Sequence, residues 1–337
     1  MSTTSYTNQN STLKDGISVI VCTYNGAGRL PKTLDYLANQ IVNPNLNWEV
    51  IVIDNSSSDS SAIIATQEWD NHNNKKIGFK CMIEPTPGKI NAMATGVLQS
   101  KYCFFINCDD DNWLSPNYVQ NAYDLLKSDE SIGAVGGLSI ATTDGQELPT
   151  WFETYQCGYA VGPQGEQKGD ISKRGYLFGA GMATKTELFN LAYAKLPTML
   201  VGRQENKLTA GDDSEYCQRL ILMGYKLVYD PDMYLYHYMP LNRLTESYRL
   251  LLYEGLAESN FILDKYRLIT QLKLKVEKHS LEWLRLVIIT PFRILFTTSL
   301  KKKTKRINTL RYLLKLDYPN DPILQSIVKF EKNFVSS

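Results

Sequence analysis

Three consecutive carboxylates, in Asn107-Cys-Asp-Asp-Asp-Asn112, are the residues of this chain best suited to chemistry. Side by side they repel one another, and a hard divalent cation would relieve that repulsion. Mg2+ and Mn2+ take carboxylate, water and phosphate oxygens, so Asp109 and Asp111 with a bound phosphate could complete a shell. The other reading is a solvated acidic turn capping a helix that starts near Ser115-Pro116. A second acidic segment is Gly211-Asp-Asp-Ser-Glu-Tyr-Cys-Gln-Arg-Leu220. Acids in a first helical turn favour the helix dipole, and a carboxylate there can also serve as a general base toward a hydroxyl. Asp213 and Arg219 read as a pair on a helix docked against a sheet. Earlier, Thr23-Tyr-Asn25 offers a ring that can stack on a nucleobase, and Asp54 can accept from a base imide or a ribose hydroxyl. Asp54-Asn-Ser is also ordinary turn chemistry. Asn25-Gly-Ala-Gly28 is not a Gly-x-Gly-x-x-Gly fingerprint, which argues against a dinucleotide.

The elements that must position these residues alternate. Ile17–Cys22 is a β-branched apolar run, and Leu30, Leu34, Leu37 and Ile41 follow at helical spacing with Pro31 near the helix start. Val50–Ile53 is a second strand, ended by the loop Asp54–Asp59. A third spans about Phe79 to Ile83, before Pro85-Thr-Pro-Gly88 and a helix from Ile90 to Gln99. A fourth, Tyr102–Ile106, runs straight into the acids. This alternation predicts an α/β fold with a mostly parallel, doubly wound sheet. Ligands of such sheets sit outside the carboxyl ends of the strands, where Thr23–Gly28, Asp54–Asp59 and Asp109–Asn112 all fall. Residues 131–240 are less regular, with Gly136-Gly137, Gly179-Ala-Gly181, a helix opening at Asp212-Asp213, and strand-like runs at Tyr225–Tyr229 and Tyr234–Tyr238. From about 244 to 280 the pattern is helical, and the remainder is basic and apolar.

With 337 residues the chain has room for one large α/β domain with an appendage, or for two domains. It is 43% hydrophobic and 21% charged with a formal net charge of +1, a folded composition without the global field that nucleic acid would favour. Six scattered cysteines without a Cys-x-x-Cys pair suggest reduced thiols, with neither a disulfide framework nor a zinc site. The polar first fifteen residues read as a disordered lead-in rather than a secretory leader.

Five segments then carry a specific resemblance. Val19-Ile-Val-Cys-Thr-Tyr-Asn25, Val52-Ile-Asp-Asn-Ser56, Gly88-Lys89 with Asn91-Ala and Gly96, Cys108-Asp-Asp-Asp-Asn112, and Gly211-Asp-Asp-Ser-Glu with Arg219-Leu resemble family 2 glycosyltransferases of the GT-A fold. They do so in order and spacing over roughly residues 16–240. The resemblance implies a lead-in at 1–15, a GT-A catalytic domain with a Rossmann-like sheet at 16–240, and a C-terminal helical appendage at 241–337. It implies an inverting enzyme that moves a sugar from a nucleoside-diphosphate sugar, UDP foremost, to a hydroxyl of a glycan or lipid-linked glycan, assisted by Mg2+ or Mn2+. Tyr24 and Asp54, beside Thr23, match the positions that hold the base, and Lys89 lies in the segment that borders base or phosphate. Asp109 and Asp111 match the outer acids of the DxD motif, with Asp110 directed toward the ribose. Asp213 matches the second acid of the usual Glu-Asp pair, the catalytic base, and Asp212 stands where Glu is common. Gly179, Ala180 and Gly181 match the loop near the donor sugar, where glycine lets backbone approach a ligand. His237 falls where some relatives place a histidine close to metal and diphosphate, and a structural histidine is the other reading. Trp151 is a candidate acceptor platform or a core residue. The chain has no Gln-x-x-Arg-Trp motif, which favours single addition over processive synthesis.

At the C-terminal end, the apolar run Leu281–Phe296 precedes Lys301-Lys-Lys-Thr-Lys-Arg306. Arg285, Pro291 and Arg293 interrupt it, so a spanning helix is not expected. A Trp- and Phe-bearing face beside a polybasic run fits an anionic membrane surface, with Trp283, Leu286, Ile289, Phe292 and Phe296 toward lipid. The alternative is a helix packed on the catalytic domain with a solvated basic tail. The expected location is the cytoplasm, peripheral on the inner face of the cell membrane. Two other functions compete. A nucleotidyltransferase would need an early basic Gly-rich loop for a triphosphate, which Asn25–Arg29 does not supply. A non-catalytic carbohydrate-binding relative is disfavoured by the intact acids at 109, 111 and 213.

Overall fold

The run from Ile17 to Val21 is wholly buried because it forms the middle of β1 (Lys14–Thr23), a strand covered on both faces. The structure is a computed structural model describing residues 13–72, 76–200, 210–278 and 280–335. Residues 1–12 of the expected lead-in lie outside the described residues, and β1 already starts at Lys14.

In chain order β1 leads to α1 (Leu30–Ala38), β2 (Trp48–Asp54), α2 (Ser61–Asn71), β3 (Gly78–Ile83), α3 (Lys89–Gln99), β4 (Tyr102–Asp109) and β5 (Asn112–Leu114). Then come α4 (Tyr118–Ser128), β6 (Ile132–Thr142), α5 (Phe152–Tyr155), β7 (Gly169–Asp170), β8 (Ala183–Lys185), α6 (Thr186–Lys195), α7 (Asp212–Leu222) and β9 (Lys226–Tyr238). The last helices are α8 (Glu246–Lys278), α9 (Ser280–Leu295), α10 (Leu300–Leu313) and α11 (Pro322–Val335).

One sheet runs β3-β2-β1-β4-β8-β6-β9-β5, with β7 paired to β9. The four strands β3, β2, β1 and β4 are parallel, as the alternating pattern requires. β8 lies antiparallel between β4 and β6, and β5 runs antiparallel to β9. Side chains alternate across the sheet with period two. Val19 and Val21 join Leu30, Leu34 and Leu37 of α1, Trp69 of α2 and Val119 of α4 on one face. Ile20 and Ile51 join Met93 of α3, Phe189 of α6 and Leu220 of α7 on the other.

One expectation changes here. The runs at 225–229 and 234–238 are one strand, β9, with a register irregularity against β6 between Gly136 and Leu138. Packing also continues past residue 240. Leu222 of α7 shares a cluster with Tyr266 and Ile269 of α8 and with Leu324, Ile327 and Phe330 of α11. All six cysteines are free thiols, and no helix among the described residues is long and apolar enough to cross a membrane.

Candidate active site

The acid cluster follows from where β4 ends. Between β1 and β8, that strand carries Asp109, Asp110 and Asp111 out at its carboxyl edge, and each carboxylate meets a different cation. Lys89 Nζ lies 2.5 Å from Asp109 Oδ1. Arg29 grips Asp110 with Nε at 2.8 Å and Nη2 at 2.9 Å, and Thr23 Oγ1 donates to the same carboxylate at 2.6 Å. Arg243 Nη1 reaches Asp111 Oδ2 at 2.7 Å, and His237 Nε2 stands 3.4 Å from Asp111 Oδ1. The repulsion that the sequence reading assigned to a metal is thus relieved by side chains from three separate segments. Asn112 organises the turn, its Nδ2 donating to Asp111 Oδ1 at 3.0 Å and its Oδ1 accepting from Asp109 N at 3.1 Å.

Electrostatics follow the pairing. Burial alone would raise the Asp111 carboxyl, but Arg243 and His237 outweigh it and hold the group well below the usual carboxylate range. Asp110 moves the other way, because burial outweighs its bonds to Arg29. Burial opposes the Lys89 ammonium, yet Asp109 and Asp212 raise it above its ordinary value.

Local sequence explains the aim of these groups. A Cβ on Gly26 would lie 2.1 Å from Thr23 Oγ1 and 2.2 Å from Asp110 Oδ2, so only glycine lets the first loop close on the acids. Asn55 pins the Pro-rich loop before α3, donating to Thr86 O at 2.7 Å and accepting from Gly88 N at 2.7 Å. Lys89, the first residue of α3, is thereby set facing Asp109.

The second acidic segment opens α7. Asp213 Oδ2 accepts from Gly179 N at 2.8 Å and Oδ1 from Ser214 N at 2.6 Å. Burial, then the charge of Asp212, pushes its carboxyl up to about 6. Gly179 is held in turn by Asn107 of β4, whose Nδ2 donates to Gly179 O at 2.8 Å while its carbonyl accepts from Gly181 N at 2.9 Å. A Cβ at Gly179 would stand 3.2 Å from Asp213, so the close approach favours glycine. Arg219 does not pair with Asp213 as its spacing suggested. Its partner is Glu215, one turn away at 2.6 Å, and both side chains are fully buried.

These groups share a cavity of about 1370 Å³. Thr23, Tyr24, Lys89, Asp109, Asp110, Asp111, Gly179, Ala180, Asp212, Asp213 and His237 all line it. Asp54, Trp151 and Gly181 do not. Asp54 is buried and accepts from Ser57 N at 2.9 Å, shaping the loop whose Asn55 and Ser56 reach the cavity. Trp151 packs, partly buried, among Phe152, Tyr155 and Tyr159, with the Arg249 guanidinium 5.3 Å from its ring. Gly181 turns its carbonyl to Tyr118 OH at 2.8 Å. Missing from the sequence reading were the roles of Arg29, Arg243, Asn55 and Asn107, and the wall built by Tyr253, Asn260 and Arg267 of α8. Asn55 and Asn107 stand inside the segments Val52–Ser56 and Asn107–Asn112, whereas lone arginines carry no local motif that could have marked them.

A divalent ion fits this donor set only in company. Among the described residues no group of three or more His, Cys, Asp and Glu side chains converges on one point. Asp111 and His237 do stand together, and His237 Nδ1 is buried without a hydrogen-bond partner among the described residues. A carboxylate, an imidazole and phosphate oxygens from a ligand are a shell that Mn2+ or Mg2+ accepts.

An α/β sheet with an acidic turn at the end of its fourth strand, sharing a cavity with a carboxylate of raised pKa at a helix start, has the layout of the GT-A fold. Residues 18–157 match the model of glycosyl transferase family 2, to which that segment of the chain is similar. A poly(ribitol-phosphate) beta-glucosyltransferase of Bacillus spizizenii is 26% identical over 122 residues, covering 36% of this chain and 19% of that protein. The glycosyltransferase AglE of Haloferax volcanii is 25% identical over 218 residues, covering 64% of this chain and 65% of that one. The matches thus span less than two thirds of either curated relative. Among solved structures, S. aureus TarS 1-349 in complex with UDP-GlcNAc shares the fold with a TM-score of 0.52 at 17% identity, over 95% of this chain and 89% of that one.

Proposed function

We propose that the chain transfers a sugar from a nucleoside-diphosphate donor, UDP foremost, to a hydroxyl of a glycan or lipid-linked glycan, with inversion at the sugar carbon. The observation that carries this reading is Asp213. A carboxyl raised to about 6 and oriented by the Gly179 N–H shares a cavity with a cluster of acids and cations suited to a diphosphate.

The base end of the donor is assigned to the rim formed by Thr23, Tyr24, Asn55 and Ser56, with Asp54 shaping that rim from below. Lys89 and Arg243, each now held on an aspartate, are the cations nearest a diphosphate. Asp110 keeps Arg29 and the first loop in place beside the ribose. Asp111 and His237, with Asp109 adjacent, would hold Mg2+ or Mn2+, which when bound offsets charge on the departing diphosphate. Gly179 and Ala180 border the sugar. Asp213 takes the proton of the acceptor hydroxyl as its oxygen forms the bond to the sugar carbon. The bond from that carbon to the diphosphate oxygen breaks on the opposite face, and the nucleoside diphosphate leaves.

Two comparisons support this reading: one relative is named a beta-glucosyltransferase, and a structure of the same fold holds UDP-GlcNAc. A nucleotidyltransferase is disfavoured, because Asn25–Arg29 does not supply the basic Gly-rich loop that a triphosphate needs. The deciding experiment measures nucleoside-diphosphate release from a panel of nucleotide sugars, with Mg2+, with Mn2+ and with excess chelator, and assigns the product anomer by NMR coupling constants. Release that needs metal and gives a β-linked product from an α-linked donor is expected. No release from any donor would overturn transfer, undiminished release in chelator would remove the metal, and an α-linked product would remove inversion.

A further inference from the structure

The sequence alone left two homes for the apolar run of α9, a lipid surface or the protein core. Its structure divides the run between them. Leu286 and Ile289 are partly buried, and Thr290 is buried, so this face turns inward and the expected lipid-facing set is corrected at those two positions. Leu284, Ile288, Phe292 and Leu295 fall at helical spacing on another face and stand outward, 49%, 55%, 63% and 77% exposed. Exposure increases along the helix and is greatest at the turn into α10, where Phe296 is 85% and Leu300 is 78% exposed. α9 and α10 form a hairpin. Trp283 Nε1 donates to Leu313 O at 2.9 Å at its open end, and the Arg306 guanidinium donates to Arg293 O and Thr297 Oγ1 near its tip.

Charge is arranged around that tip. Residues 280–313 hold eight Lys and Arg against one Glu, in a chain whose formal net charge is only +1. Lys301, Lys302, Lys303 and Lys305 are all exposed, on the two turns of α10 that follow Leu300. An exposed apolar ridge would ordinarily be a liability in water. Here it adjoins a row of cations, and the pair matches a surface that is anionic outside and apolar beneath. A second copy of the chain is the poorer occupant, because two such tips brought together would meet at like charge.

We propose that the α9–α10 hairpin is a membrane-docking wedge. Leu295, Phe296 and Leu300 enter the interface of an anionic bilayer, and the lysines of α10 sit among the headgroups. The hairpin lies apart from the residues assigned to sugar transfer, so the proposal stands or falls independently of that activity.

Flotation of the full chain with vesicles of phosphatidylcholine alone, or mixed with phosphatidylglycerol, tests it at low and high salt. Binding is expected on the anionic vesicles, weakened by salt. Lys301→Gln/Lys302→Gln/Lys303→Gln should lower the partition coefficient about 10²-fold at low salt, from roughly fivefold per basic residue. Leu295→Ser/Phe296→Ser/Leu300→Ser should lower it by about tenfold or more. Both triples alter exposed side chains, so the thermal midpoint is expected to stay at the parent value, which separates lost docking from lost fold. Failure of the parent to float, equal flotation on neutral vesicles, or unchanged flotation of the serine triple would overturn the wedge. So would a lipid-free dimer in sedimentation equilibrium that the serine triple dissolves, because that would assign the ridge to a second copy.

Discussion

Asp213 is placed where ionisation is least favoured, in a partly buried position beside another carboxylate, and a base needs that shift to work near neutral pH. Asp213→Asn keeps the shape and removes the proton acceptor. Its kcat is expected to fall about 10²- to 10⁴-fold with donor KM within a few-fold of the parent. Parent activity should decline as pH falls through about 6, where the carboxyl gains its proton. The stability sign is opposite to that of a paired acid. The folded value lies above the ordinary 3.8, so the fold favours the protonated form, and stability declines as pH rises from about 4 to about 6. The asparagine variant should therefore unfold at a higher temperature than the parent at pH 8, with the gap closing in acid. Turnover within a few-fold of the parent would shift the base assignment to Asp212. The acids were legible because three carboxylates at a strand end, and two more at a helix start, stand out locally. Arg29 and Arg243 were not legible, because their partners lie 81 and 132 positions away.

α7 holds Asp213 in place through a buried device one turn further on. Glu215 accepts from Thr198 Oγ1 at 2.8 Å, Met199 N at 3.0 Å and Tyr266 OH at 3.1 Å, while Arg219 donates to Ala192 O at 2.9 Å and Pro197 O at 2.8 Å. The pair therefore ties α7 to the end of α6 and to α8. Removing one partner leaves an uncompensated buried charge. Arg219→Met is expected to cost about 3–5 kcal/mol in urea unfolding. Glu215→Leu combined with Arg219→Met should recover part of that loss, since no charge is then stranded. If the double variant were the less stable by the sum of both singles, the pair would not be acting as a unit. Helices with a clear apolar stripe, such as α1 with Leu30, Leu34 and Leu37, were legible. Strands β5 and β8 were not, because three residues each, Asn-Trp-Leu and Ala-Thr-Lys, are too short to show a period.

Across the whole molecule, α8 is both a wall of the cavity and a support for its far side. Tyr253, Asn260 and Arg267 line the cavity, while Tyr266 and Ile269 pack with Leu222 and α11. A chain ended at residue 240 would expose that cluster and remove the wall together. It should lack a cooperative unfolding transition, with the near-ultraviolet dichroism of the parent absent. A truncated chain that melts cooperatively at the parent temperature would show that 16–240 folds by itself. The order of strands and helices as far as β4, and the three polar loops at strand ends, were determined by sequence alone, because β-branched runs, helical periodicity and turn residues are local properties. The tertiary structure decided which cation meets which aspartate, which aromatic rings pack against Trp151, and which face of α9 looks outward. Those outcomes depend on contacts between residues far apart in the chain, whose geometry exists only once the sheet and α8 have closed around the cavity.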